Sequence, residues 1–275
     1  MIDAHFHCWK LSRGDYGWLT PELPVLYRDV SVSDWASHAK GWAIDGGLLV
    51  QAAPTEAETH FLLDQARQHP MVLGVIGWVD MLAQDAVQRI ERLAVDPLLK
   101  GLRPMLQDLD DERWILQPAL KGALQTMSDL GLVFDALIKP VHLPHILKLM
   151  QQFPQLRVVI DHGAKPSPSG SFNTWQMGMM ALAELRHHSV CCKMSGLWTE
   201  WPAGSECNDL IPWCEALLSM WGAERLMWGS DWPVLEMAGD YANWRNWSVE
   251  FLQQRCSADE QALILDGNAR SFYRL

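Results

Sequence analysis

Short apolar runs alternate along the chain with longer segments of helical periodicity. The runs are rich in Val, Ile and Leu and show no regular polar alternation, which is typical of strands buried on both faces of a parallel sheet. Eight such runs begin at Ile2, Gly46, Val72, Leu99, Leu132, Arg157, Ser189 and Leu226. The pattern therefore predicts eight parallel strands, each followed by a helix.

Three of the intervening segments carry clear helix signals. Segment 56–69 follows Thr55, a favourable N-cap residue, and segment 85–93 repeats its apolar residues every three to four positions. Segment 143–153 has a proline in its first turn and ends just before Pro154. These segments predict helices between the second and third, third and fourth, and fifth and sixth strands.

The spacing of the runs indicates how the strands are arranged. The first and eighth runs begin 224 residues apart, so the seven intervals average 32 residues, the size of a strand and helix with their loops. This predicts an α/β fold, a single (β/α)8 TIM barrel domain over residues 1–275, closed by a helix within 267–275. A doubly wound open sheet fits the same pattern, but its usual glycine-rich turn after the first strand is missing.

Composition narrows the functional classes. Lys and Arg number 22 against 33 Asp and Glu, a net charge of −11, which argues against a nucleic-acid partner. No apolar run approaches the roughly 20 residues of a membrane helix, and no secretory leader precedes the first run, so no membrane partner is expected. The six cysteines lack zinc-ribbon spacing and are expected to be buried thiols, which favours a cytoplasmic location.

Polar residues at the carboxyl ends of the predicted strands are the candidates for chemistry, because barrel enzymes build their sites there. His5 and His7 end the first run, and residues two apart on a strand face the same way. His162 ends the sixth run and Asp231 ends the eighth. An imidazole can be a metal ligand, a hydrogen-bond donor or a base, whereas the carboxylate is either a general base or a helix cap.

Further residues at the strand ends are weaker candidates. Arg103 after the fourth run and Lys193 in the seventh either pair with acidic neighbours or contact a substrate. His187 and His188 precede the seventh run, on the side away from the strand ends, and are not expected to contribute. Aromatic walls suited to a sugar or a flat ring are predicted at the mouth of the barrel, from Trp9, Trp78, Trp198, Trp201 and Trp232.

The order of these motifs resembles a known family. HFH after the first strand, KGLRPMLQ, DHGAKP, KMSGL and WGSDWP are similar to the lactonase branch of the amidohydrolase superfamily. That branch includes L-fuconolactonase-like, L-rhamnonolactonase-like and pyrone-dicarboxylate lactonase-like enzymes. The resemblance extends from MIDAHFH to the closing GNARSFYRL, and DHGAKP and GSDWP are its more specific elements.

The resemblance implies a hydrolase that opens a cyclic ester. His5, His7 and His162 would surround the carbonyl oxygen of the lactone, and Asp231 would activate water. Contacts to the substrate are implied for Arg103, Gln51, Trp78 and Lys193.

The resemblance also bears on the cofactor. The fifth run, LVFDALIKP, lacks the second histidine that binuclear members of the superfamily carry, which implies a mononuclear or metal-free site. A metal is therefore not strictly required, although one divalent ion such as zinc would have His5, His7, His162 and Asp231 as ligands.

Four functions remain open on the sequence. The first is a sugar lactonase that opens an aldono-1,4- or 1,5-lactone, supported by the motif set and the aromatic mouth. The second is a lactonase for a carboxylated intermediate of aromatic catabolism, which would need several arginines where only Arg103 is placed. The third is a zinc-dependent decarboxylase with Asp231 as a metal ligand, and the fourth is a barrel that binds without turnover. The expected partner is a small-molecule lactone, with a homo-oligomer left open.

Overall fold

The computed structural model describes residues 1–185 and 190–275. Its eight strands form one parallel sheet in sequence order, which confirms the eight predicted runs. The strands are β1 (Ile2–Phe6), β2 (Gly46–Val50), β3 (Val72–Gly77), β4 (Leu99–Leu102), β5 (Val133–Ala136), β6 (Arg157–Ile160), β7 (Val190–Met194) and β8 (Leu226–Trp228). Ser189, which begins the seventh run, and the discounted His187 and His188 lie outside the described residues.

Helices follow the strands in the predicted order. They are α1 (Val32–Lys40), α2 (Glu56–Gln68), α3 (Ala86–Leu93), α4 (Lys121–Leu130), α5 (Leu143–Gln152), α6 (Phe172–Ala183), α7 (Ile211–Trp221), α8 (Tyr241–Gln253), α9 (Ala258–Ala262) and α10 (Asn268–Tyr273). The helices predicted over 56–69, 85–93 and 143–153 and the closing helix are confirmed as α2, α3, α5 and α10. Within the described ranges, none of them has the length and apolar character needed to cross a bilayer.

Closure of the sheet distinguishes a barrel from an open sheet. Phe6 at the end of β1 forms a parallel bridge with Trp232, just beyond β8. Backbone hydrogen bonds run from the His7 N–H to the Trp232 carbonyl and from the Asp231 N–H to the His5 carbonyl, each 2.8 Å long. The first and last strands are thus joined through the segment after β8, and the fold is a (β/α)8 barrel.

Strand β1 changes the face that it presents to the barrel interior. Ile2 and Ala4 belong to an apolar cluster that takes residues from seven of the eight strands and is closed by Phe272 and Tyr273 of α10. The register of β1 against β2 then shifts between Asp3 and Phe6, the signature of a β-bulge. Beyond the bulge the odd-numbered residues turn inward, so His5 and His7 reach the carboxyl end of the barrel.

The Asp3 carboxylate connects β1 to its surroundings. It is fully buried and accepts hydrogen bonds from the Ser230 N–H and hydroxyl, at 2.8 and 2.6 Å. The Trp35 indole N–H and the Tyr241 hydroxyl donate to it at 2.9 and 3.0 Å. One side chain therefore holds the segment after β8 together with α1 and α8. Burial raises the pKa of Asp3, against the lowering effect of these donors.

Substitution of Asp3 tests this connection. Asp3→Ala would remove an acceptor shared by four buried donor groups, so we expect the free energy of unfolding to fall by about 3 kcal/mol. Urea unfolding followed by circular dichroism measures the loss, with Asp110→Ala, at an exposed position, as the control. Equal stability of the two variants would contradict this role for Asp3.

Candidate active site

A cavity of about 290 Å³, which we call the reaction cavity, opens at the carboxyl ends of the strands. Its inner end is lined by His7, Arg103, His162 and Asp231, four of the predicted site residues. His5 is fully buried directly beneath them, with its ring centroid 4.9 Å from that of His7 and 4.5 Å from that of His162. The residues predicted to be catalytic therefore converge from three distant parts of the chain.

Hydrogen bonds fix the orientation of two imidazoles. His7 Nδ1 lies 2.8 Å from the Val50 carbonyl oxygen, which can only accept, so Nδ1 carries the proton. In the neutral ring His7 Nε2 then presents a lone pair, 3.3 Å from Asp231 Oδ1. The Ser195 hydroxyl lies 2.9 Å from His162 Nδ1 and orients that ring, while His162 Nε2 faces Asp231 Oδ1 at 3.8 Å.

Asp231 is the centre of the cluster. Its Oδ1 also lies 3.6 Å from His5 Nε2, so three imidazoles face one carboxylate oxygen. Burial opposes ionisation, but the imidazoles, His162 foremost, hold the pKa of Asp231 below its ordinary value. Burial also lowers the pKa of His5 and of His162, although the nearby carboxylates raise both values. The attraction between carboxylates and imidazoles thus opposes the effect of burial, and it prevails at Asp231 whereas burial prevails at His5 and His162.

Unusual backbone conformations bring these groups together. His162 and Asp231 have φ of 54° and 58°, in the left-handed region that few non-glycine residues adopt. Gly196, with φ of 56°, packs beneath both side chains. A Cβ at this position would overlap His162 Nδ1 and lie 2.8 Å from Asp231 Oδ2. Glycine is required there both for the backbone angle and for the close approach.

The spacing of the donor atoms bears on metal binding. Across the described ranges, His5, His162 and Asp231 form the one group whose ligand atoms all lie within 4.8 Å of one another. Around a tetrahedral zinc ion, ligand atoms are separated by about 3.3 Å. The distances from Asp231 Oδ1 to the three imidazole nitrogens span 3.3 to 3.8 Å. These distances are close to that separation, so His5, His162 and Asp231 fit one divalent ion.

A buried network of charges lies below the cluster. Lys193 Nζ is 2.5 Å from Asp135 Oδ2 and 3.0 Å from Asp161 Oδ1. The Tyr273 hydroxyl donates to Asp135 at 2.9 Å, and Asp161 Oδ1 lies 3.5 Å from His5 Nδ1. Although burial opposes it, the two carboxylates raise the pKa of Lys193, and the ammonium holds the pKa of Asp161 well below its usual range. The network links the closing helix α10 to the orientation of His5.

Arg103 and Gln51 hold each other at the ends of β4 and β2. Arg103 Nη2 donates to the Gln51 carbonyl, and Gln51 Nε2 donates to the Arg103 carbonyl at 2.6 Å. Arg103 Nη1 also lies 3.4 Å from His5 Nε2 and 3.5 Å from Asp161 Oδ2. The guanidinium is thus oriented beside the imidazoles and borders the cavity.

The structure corrects the expected position of three substrate-binding candidates. Gln51 and Lys193 are fully buried and do not line the cavity, because one pairs with backbone and the other with two carboxylates. Trp78 lines a neighbouring cavity instead. The tryptophan at the reaction cavity is Trp18, whereas Trp9 and Trp232, expected at the mouth, are almost completely buried.

Four residues that shape the site were not among the candidates: Trp18, Asp135, Asp161 and Ser195. The signal for Asp135 was present, because Asp135, like the candidate Lys193, interrupts an apolar run predicted to be a buried strand. A charge in such a run needs a partner of opposite charge. Asp161 directly precedes His162, but its role depends on a side chain that arrives from β7.

Beside the cavity, the loop after β2 rests on a buried carboxylate. Glu58, in the first turn of α2, accepts hydrogen bonds from the Ala52 and Ala53 N–H groups at 3.0 and 2.6 Å. Burial raises the pKa of Glu58 to about 7, although these two donors lower it. The carboxyl group thereby fixes the backbone next to Val50 and Gln51, which contact His7 and Arg103.

Comparison with known proteins adds to this geometry. The model of the family described as amidohydrolase matches residues 2–275. An L-fucono-1,5-lactonase of Burkholderia ambifaria is 41% identical, over 100% of this chain and 95% of the relative. An L-fucono-1,5-lactonase of Burkholderia multivorans is 31% identical, over 100% of this chain and 96% of the relative.

Solved structures agree with the sequence comparison. The crystal structure of an amidohydrolase from Burkholderia multivorans with bound zinc superimposes with a TM-score of 0.92 and 29% sequence identity. The match covers 100% of this chain and 99% of the other.

Glu58 gives the loop after β2 a pH-dependent contribution to stability. Its pKa is about 7 in the folded chain and 4.5 in an unfolded one, so the contribution is complete below pH 4.5 and is lost as pH rises through about 7. We expect Glu58→Gln to remove about 3 kcal/mol of the difference in unfolding free energy between pH 4.5 and pH 8. Urea unfolding at the two pH values measures it, with exposed Glu91→Gln as the control. An unchanged difference in Glu58→Gln would contradict the assignment.

Proposed function

Because the chain belongs to the amidohydrolase family, we propose that it is a hydrolase that opens the ring of a sugar lactone, and that L-fucono-1,5-lactone is its substrate. The observation that carries the reaction type is the convergence of His5, His7 and His162 on Asp231 at the inner end of a cavity. The choice of substrate rests on the two relatives named L-fucono-1,5-lactonase.

Asp231 is the general base of the proposed mechanism. Its lowered pKa keeps it ionised at neutral pH, as a base must be. Oδ1 faces the imidazoles, and Oδ2 lies beside Gly196. Asp231 takes a proton as the water oxygen attacks the carbonyl carbon. It returns the proton to the ring oxygen when the ring C–O bond breaks, which leaves a hydroxy acid.

Positive charge near the carbonyl oxygen stabilises the negative charge that develops there. Arg103 borders the cavity, and its Nη1 lies 3.4 Å from His5 Nε2, so its guanidinium is placed beside the reacting group. The buried pair of Lys193 and Asp161 keeps His5 oriented from below. These groups are fixed before the substrate binds and need little reorganisation during the reaction.

We propose that the cluster also binds one zinc ion, with His5, His7, His162 and Asp231 as its ligands. Support comes from the three nitrogens that face one carboxylate oxygen and from the zinc bound to the Burkholderia multivorans amidohydrolase. When bound, the ion would polarise the carbonyl group of the lactone.

The alternative functions have less support. A substrate with several carboxylates would need several free cations, and the cavity is lined by two within the described chain, Arg103 and Lys165. Arg103 donates to the Gln51 carbonyl, and Lys165 pairs with Glu200 at 2.7 Å. Nothing in the geometry favours decarboxylation or binding without turnover over ester hydrolysis.

A cytoplasmic location is part of the same proposal. All six cysteines are free thiols, and five of them are buried. Free thiols persist in reducing compartments, where disulfides are rare. The proposed partner is the small-molecule lactone itself.

Substitution of the base tests the mechanism. Asp231→Asn is the suitable change because asparagine also tolerates the left-handed backbone at this position. We expect a protein of normal fold whose kcat for L-fucono-1,5-lactone is lower by about 100-fold or more. A pH-indicator assay measures ring opening, with Asp110→Asn at an exposed position as the control. A rate equal to that of the unmodified protein would remove Asp231 from the mechanism.

Zinc binding has a readout independent of activity. Adding free zinc at about 100 times its Kd should stabilise the metal-free protein by about 2.7 kcal/mol, seen as a higher Tm. His162→Asn should abolish this shift, whereas His60→Asn, at an exposed position, should retain it. No shift in the unmodified protein would contradict a zinc site. Activity that persists after chelation supports the expectation that the ion is not strictly required, and complete loss restored by zinc contradicts it.

A further inference from the structure

A second cavity of about 470 Å³ adjoins the reaction cavity. Trp18, Met105 and Asp108 line both cavities, so the two share one wall. The second cavity does not contain the imidazoles or Asp231, and the proposed mechanism does not use it. Its volume is within the range of cavities that bind small ligands.

The lining of the second cavity is mainly apolar. Beyond the shared wall it is formed by Trp78, Leu109 and Trp114, among other apolar side chains. Leu109 is 38% exposed, a large apolar residue left partly open to solvent beside the cavity. Binding of an apolar group over such a surface is favourable, because it removes apolar area from water.

Charge at the second cavity excludes an anionic occupant. Among the described residues its lining contains three carboxylates, those of Asp15, Asp80 and Asp108, and no Lys, Arg or His. Arg13 and Thr55 donate to Asp15 Oδ2, the Leu82 N–H donates to Asp80, and Gln107 donates to Asp108. Among the described residues, the buried Oδ1 of Asp15 has no partner. Because the rest of the lining is mainly apolar and no cation lines the cavity among the described residues, an uncharged apolar group suits most of the space.

We propose that the second cavity binds an uncharged alkyl chain attached to the lactone ring, so that the protein also hydrolyses alkyl-substituted lactones. This inference rests on the proposed lactonase function. The ring carbonyl lies at Asp231, and the chain passes Trp18 into the second cavity. The reaction is unchanged: water adds to the carbonyl carbon, the ring C–O bond breaks, and the ring oxygen receives the proton.

Two lactones that differ by one chain test the proposal. δ-Decalactone is δ-valerolactone with a pentyl substituent, and each buried methylene is worth about fourfold in binding. We expect kcat/KM to be at least about tenfold higher for δ-decalactone, because two buried methylenes suffice for that ratio. L-Fucono-1,5-lactone is measured in the same pH-indicator assay.

Leu109 tests whether the second cavity binds the alkyl chain, because it lines the second cavity and not the reaction cavity. Leu109→Asp places a charge beside the chain and should bring the ratio of the two δ-lactones close to one. Hydrolysis of L-fucono-1,5-lactone should be unchanged. Leu109→Met keeps the wall apolar and should retain the ratio. Because Leu109 is partly exposed, both variants should fold, which circular dichroism checks.

The outcomes separate the two proposals. If L-fucono-1,5-lactone is hydrolysed but δ-decalactone is no better a substrate than δ-valerolactone, the alkyl subsite is wrong and the sugar lactonase function stands. The alkyl subsite is also wrong if Leu109→Asp leaves the ratio unchanged. If δ-decalactone is preferred and the sugar lactone is not hydrolysed, the alkyl subsite stands and the sugar substrate is wrong. If no lactone is hydrolysed, both proposals fail.

Discussion

The junction between β1 and the segment after β8 is the contact on which both the barrel and the site depend. The Asp3 carboxylate accepts two hydrogen bonds from Ser230, and the Asp231 N–H donates to the His5 carbonyl. The first pair of bonds joins the two ends of the sheet. The last bond places the base next to the first imidazole. The same contacts therefore close the barrel and bring the reactive groups together. A change that opens the junction separates Asp231 from His5.

Buried charge is the second constraint. The interior holds an ammonium, a guanidinium and several carboxylates, and each would be costly to bury without a partner. Lys193 meets Asp135 and Asp161, and Arg103 lies close to Asp161. Each pairing fixes a side chain in one orientation, so His5 is held rigidly from below. Above it, the Nε2 atoms of His7 and His162 face Asp231 Oδ1.

Most of the fold could be predicted from the sequence because strands buried on both faces appear as uninterrupted apolar runs. His5, His7, His162 and Asp231 could be predicted because barrel strands bring their carboxyl ends together wherever they lie in the chain. The pairing of individual side chains could not. Lys193 lies on the same face of β7 as Cys191, which belongs to the interior cluster, but its partners Asp135 and Asp161 are distant in the sequence. The bulge in β1 likewise arises from pairing with β2.

The reactive groups and the residues that we expect to determine substrate specificity lie on different parts of the fold. The reactive groups lie at strand ends, where the barrel fixes them. The residues between the two cavities lie in loops: Trp18 follows β1, and Met105 and Asp108 follow β4. Loops tolerate substitution and insertion more readily than strands. The shape of the second cavity can therefore change while the reactive cluster remains intact. Under this division, barrels with the same four reactive residues differ in the substituents they accept, and the loops after β1 and β4 determine that difference.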